Sequence, residues 1–226
     1  MDEHLRELER RADLGDLVAA GRLLTEQVRA GDLSAATLEL AAELGHPAAC
    51  RALDRDPLQP SLEGLLQASR GDPRLLVRTL YAAAQLSLPR FELWLPTERG
   101  PQQALAACAE WLAQPGEERA LAAHEAAGEA RLAAGRVTYA LLPRHQLGIL
   151  SRGEITALEY VAWTAQDAAL GAFRCELTEE EPDPSSLHRL AEARIESGWD
   201  APGELARRLS RELGRWLLAS VAAAPQ

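Results

Sequence analysis

The 226-residue chain contains no lysine and no asparagine, so all 24 of its Lys/Arg-type cations are arginine. Without lysine there is no Schiff-base nucleophile, no P-loop lysine for a nucleotide's phosphates and no kinase-type ATP lysine. The same bias is what a GC-rich genome produces, so it carries no functional meaning by itself. Aromatic residues make up only 4% of the chain, which leaves the core to Leu and Ala. The three cysteines, Cys50, Cys108 and Cys175, lie far apart. No pair has metal-ligand spacing, and an odd count does not suggest a disulfide framework; a reduced cytoplasm is expected. Positive charge is in deficit. The net charge of −10 repels phosphate backbones, so no nucleic acid is expected as partner. Long apolar runs are missing too. The start, MDEHLRELERR, is charged and has no apolar signal segment, and WLLASVAAAP falls far short of the roughly 20 residues a membrane span needs.

What is present is helical punctuation. Glu7 precedes Arg11 by four positions, a helix-supporting pair. Gly15, Gly31 and Gly45 read as helix stops, Asp16 and Ser34 as N-caps, and Pro47 as a first-turn residue. Shifting ADLGDLVAAGRLL by thirty residues onto AELGHPAACRALD superposes Leu8/Leu38, Leu14/Leu44, Gly15/Gly45, Ala19/Ala49 and Leu23/Leu53. Periods of this size mean stacked helical hairpins. DRDPLQP, residues 54–60, carries two prolines and reads as a linker. Domains are therefore expected at 1–54, a repeat-like lobe, and at 61–226, a larger bundle.

In the second part, Gly71-Asp72-Pro73 is a stop, a cap and a first-turn proline in succession. The helix that follows is expected to end at Pro89, making RFELWLPTERG a loop. The Ala/Gly-rich segment 116–142 offers a flat face for close helix contact. Pro143 and Gly148 are expected to interrupt it. The 154–175 stretch is apolar nearly all round, the mark of a central helix, with Ser151/Glu154 and Thr156/Glu159 as alternative capping boxes. TEEEPDPSS reads as an acidic loop. The last helix should bury Leu205, Leu209, Leu213, Trp216, Leu217 and Val221. No stretch alternates with period two for long enough to be a strand. The fold class is all-α: stacked antiparallel helical hairpins, nine to eleven helices in all.

Chemistry-bearing motifs are absent. His124-Glu125 would need a second His at position 128 for a zinc-protease helix, and position 128 is Gly. There is no G-x-S-x-G elbow and no Gly-rich phosphate loop. Each cysteine sits on an Ala/Leu stripe as a small hydrophobe, and His46 is expected to face solvent at a turn. No catalytic residue, metal site or cofactor is proposed. Two patches suit protein binding. Arg90, Phe91, Trp94 and Arg99 combine residue types enriched in binding hot spots; the alternative is that both rings fold back onto the core. Arg207, Arg211 and Arg215 form one line on the last helix, either a docking strip for an acidic partner or a solvated face.

Residues 5–53, with A-x-L-G-x-x-x-A, resemble Sel-one-like and tetratricopeptide-like repeats. From Leu75 to about Phe173 the chain resembles the Ala-rich all-α immunity proteins of bacterial polymorphic-toxin systems. The resemblance rests on LLVRTLYAAAQLSLPRFE, ERGPQQALAACAEWL and RALAAHEAAGEAR, and in particular on Phe91, Arg99, Pro101, Ala104, Leu105, Trp111 and His124. GRVTYALLPRHQLGIL departs from it, lacking the small-residue, His-bearing helix the family would place there. The resemblance implies a non-enzymatic protein that blocks a partner, and the leading expectation is immunity-like neutralisation of a cognate toxin. The competing expectation is a scaffold or adaptor subunit of a larger bacterial complex.

Overall fold

The structure, a computed structural model, describes residues 3–56, 59–178 and 180–222; the side chains of 220–222, Val221 among them, lie outside the description. Among the described residues there are eleven α-helices, one π-helical turn and no strand, so the all-α class holds. The chain divides into two compact units, residues 1–68 with 206–226, and residues 69–205. This differs from the expected division at 54–60, because the last helix groups with the first unit.

The first unit begins with α1 (Glu3–Asp13), α2 (Leu17–Ala30), α3 (Ala35–Glu43), α4 (Pro47–Ala52) and α5 (Leu62–Ala68). Asp16 caps α2 by accepting from the amides of Val18 and Ala19, and Ser34 caps α3 by accepting from Thr37. Gly15, Gly31 and Gly45 take left-handed φ values of 89°, 83° and 80°, which removes the Cβ clash at each helix end. The thirty-residue period is visible in burial as well. Leu8 and Leu38, and Ala19 and Ala49, are buried pairwise, whereas Leu44 is buried and Leu14 is 76% exposed. The core gathers Leu24, Leu33, Leu38, Ala41, Ala48 and Cys50, with Leu218 of α11 (Glu204–Ala222) packed against it. Ser210 of α11 donates its hydroxyl to the Leu44 carbonyl. Gly214 meets His46 so closely that a Cβ there would stand 2.6 Å from the ring. His46 is thus half-buried rather than solvent-facing, and its Nδ1 accepts from the Ala49 amide at 3.4 Å to cap α4.

The second unit holds α6 (Pro73–Trp94), α7 (Gly100–Ala113), α8 (Glu117–Gln146), α9 (Arg152–Phe173), a π-turn (Arg174–Thr178) and α10 (Ser185–Glu196). Helix α9 is the centre and packs against α6, α7, α8 and α10. Its start carries the Ser151/Glu154 capping box, with both reciprocal bonds formed. Ile155, Leu158, Val161, Ala165, Ala168 and Ala172 are all buried. Helix α8 presents alanines inward, at 120, 123, 127, 130, 133 and 134, so two backbones can approach closely where Leu would hold them apart. At Gly100 the start of α7 comes so near α8 that a Cβ would lie 2.3 Å from the Glu129 carbonyl oxygen.

Two expected helix ends are corrected. Helix α6 runs through Pro89 to Trp94, and α8 runs through Pro143 to Gln146. In both cases the proline and the residue four before it, Gln85 or Tyr139, are exposed. The carbonyl that loses its helical partner therefore faces water, and a proline on the solvent side bends a helix without ending it.

Candidate functional site

The 90–101 segment is half helix. Its first residues form the last turn of α6; Leu95 is buried, and Pro96 to Glu98 turn the chain into α7. Phe91 is fully buried. It anchors the core, which corrects its assignment to a partner surface. Trp94 is half-buried, while Arg90 and Arg99 are exposed. Leu93, which sequence reasoning passed over, is 73% exposed. Positions 90, 93 and 94 share one side of the helix end by the three- and four-residue rule.

Two of these side chains, Arg90 and Arg99, have partners that position them. The Arg90 guanidinium lies 4.9 Å over the ring of Trp199, a cation–π contact. Beneath it Arg194 makes a two-pronged ion pair with Asp200, 2.5 Å from Nε to Oδ2 and 3.0 Å from Nη2 to Oδ1, with both side chains almost wholly buried. A third Arg194 N–H donates to Ser87 of α6, whose hydroxyl donates to the Ala83 carbonyl at 2.9 Å. Such a pair adds little net stability over apolar residues, but breaking it strands a buried charge. It ties the loop after α10 to α6 and so fixes the platform under Arg90. Around the turn, Arg99 donates to Gln102 at 2.8 Å, Gln102 donates to Glu92, and Arg136 of α8 pairs with Glu98 at 3.3 Å.

The local pattern ARIESGWD cannot announce the Ser87 contact, because that partner lies about a hundred residues upstream on α6. The only available signal was chemical. An Arg at a helix end, followed by a Gly stop, a Trp and an Asp, is a pattern that can fold back on itself.

The second predicted strip lies on α11, in the first unit. Arg211 and Arg215 are exposed and Arg207 is half-buried. Arg215 pairs with Glu212 at 3.5 Å, and Arg211 donates to the Arg207 carbonyl at 3.4 Å. Arg215 also lies near enough to His46 to add its charge to the burial that lowers that histidine's pKa.

The remaining reactive groups are quiet. Burial pushes the Cys108 thiol up to about 12 and Cys175 up to about 11, which disfavours the nucleophilic thiolate. Cys108 donates weakly to the Ala168 carbonyl at 3.5 Å. His124 is exposed and lies 4.4 Å from the Phe173 ring. Trp111 is buried and donates to Glu176 at 3.1 Å. Among the described residues no three His, Cys, Asp or Glu side chains converge as a metal site would need, and no helix is long and apolar enough to cross a membrane. Comparison with protein-family models, with curated proteins and with solved structures finds no match to this chain.

Proposed function

We propose that the protein is a non-enzymatic binding protein of the bacterial cytoplasm. In its most concrete form it neutralises a cognate toxin by covering it, with the end of α6 as the contact surface. The observation that supports this reading is the pairing of exposed Leu93 and half-buried Trp94 with Arg90, an arginine already held over Trp199. A guanidinium positioned beforehand loses less freedom on meeting a carboxylate, and aromatic and Arg anchors carry most interface energy. The scaffold reading has its own support. Leu14, Leu17 and Val18 are exposed at the turn between α1 and α2, where a subunit of a larger complex could dock.

The test is co-expression with the product of a neighbouring toxin gene, read as growth protection and as affinity of the purified pair. Leu93→Asp and Arg90→Ala should each weaken binding by at least ~2 kcal/mol, about thirtyfold, and abolish protection, with Leu93→Asp leaving the melting temperature unchanged. Unchanged affinity in both variants would move the contact elsewhere. If binding is lost only in Leu14→Asp, the scaffold reading takes precedence.

A further inference from the structure

Helix α8 is built inside out. Its buried face is alanine apart from Val137 and Leu141, while four bulky apolar residues point outward: Leu121 is 45% exposed, Leu132 52%, Tyr139 79% and Leu142 41%. At 100° per residue these four fall within about 80° of one another, a single stripe down the helix. Gly128 and Gly135 lie on the same stripe, and a Cβ at either would meet nothing within 4 Å. Glycine inside a helix weakens it relative to alanine, and among the described residues nothing stands close enough to require it at these two places. A second helix approaching from outside would.

The spacing and the charges indicate which helix. Leu121 and Leu142, and likewise Gly128 and Gly135, stand at equal distances on either side of the point between Arg131 and Leu132. The first half of α8, residues 117–131, carries Glu117, Glu118, Glu125 and Glu129 against Arg119 and Arg131. The second half, residues 132–146, carries Arg136 and Arg144 and no acid at all. A copy of α8 laid antiparallel, with a two-fold axis through that midpoint, brings each acidic half onto a basic half. Arg136, which also pairs with Glu98 of its own chain, then falls opposite the stretch between Glu125 and Glu129 of the second copy. A parallel pair would set like charge on like. We infer that the outer face of α8 is a self-association surface on which two copies of this chain pack antiparallel, crossing between Gly128 and Gly135. Arg131 beside the axis opposes its own mate, and one helix pair is narrower than a standard interface, so the dimer is weak and concentration-dependent.

Sedimentation equilibrium of the full chain between about 1 µM and 1 mM tests this; the mass should rise toward twice the monomer value within that range. Tyr139→Glu should weaken the association at least tenfold with no change in melting temperature. Gly128→Ala combined with Gly135→Ala should weaken it while raising the melting temperature, an opposition that no folding defect produces. For orientation, Leu121→Cys should cross-link efficiently to Leu142→Cys and poorly to itself. A chain that stays monomeric to 1 mM, a dimer indifferent to these changes, or efficient self-cross-linking of Leu121→Cys would each overturn the inference.

Discussion

Asp167 stands on α9, half-buried, with Ser186, Asp183 and Arg174 near it; burial pushes its pKa up from 3.8 to about 6. The Ser186 hydroxyl moderates the rise, although no hydrogen bond of normal geometry forms to it. The folded state therefore binds this proton more tightly than the unfolded chain does. Stability from the site is present below pH 4 and is lost as pH climbs through about 6. Each tenfold difference in proton affinity between the two states is worth about 1.4 kcal/mol, so Asp167→Asn should stabilise the protein at pH 7.5 by about 2 kcal/mol. That gain should shrink below pH 6 and vanish near pH 4, as thermal melts of both proteins across this range would show. His46 works in the opposite sense, since burial lowers its pKa and its neutral Nδ1 caps α4. It is common to both proteins, so their difference isolates Asp167. A buried carboxylate with no full partner weakens a fold, and its place between α9 and the start of α10 was invisible in the sequence, where Asp167 is one acid among 34.

Helix ends were readable because their chemistry is local. Asp16, Ser34, Asp72 and Ser151 each satisfy an amide two or three residues away, so a short window contains the whole interaction. Pro89 and Pro143 misled for the complementary reason: whether a proline ends a helix depends on which side faces water, a tertiary fact. Phe91 misled in the same way, since the assumed loop hid the helical phase that points its ring inward. Close approach between helices is the least legible feature. Gly100 looks like any turn glycine, yet it lets α7 start against the α8 backbone. Gly100→Ala places a methyl where only the backbone of Glu129 and Ala130 is available to yield, so it should cost at least about 2–3 kcal/mol in chemical denaturation. Gly128→Ala, made in open space on the neighbouring helix, should instead add up to about 1 kcal/mol. If the two variants proved equal, the α7–α8 approach would not be as close as described.

The division of the whole chain depends on contacts that no local pattern encodes. The stripe of Leu205, Leu209, Leu213 and Leu217 announces that α11 has an apolar partner; it does not say that Leu218 reaches a core formed by Leu24, Leu38 and Cys50. Both outer segments of the chain thus build one unit, and 69–205 forms the other between them. Units with separate cores can unfold separately. A chain stopped after Gly203 should keep a protease-resistant 69–203 body while residues 1–68 are digested, as limited proteolysis with mass spectrometry would show. Equal loss of both parts would mean that the two units unfold as one.

This shared ownership of the first unit also sets a timetable for synthesis. Helices α1 to α5 leave the ribosome early, and their last packing partner follows only after the entire 69–205 body has been translated. At about 5–20 residues per second that delay is on the order of ten seconds. For that interval the nascent chain shows the apolar ground that α11 will occupy, and a chaperone can hold it there. A message cut short, or a ribosome stalled after the second body, leaves that ground showing for good.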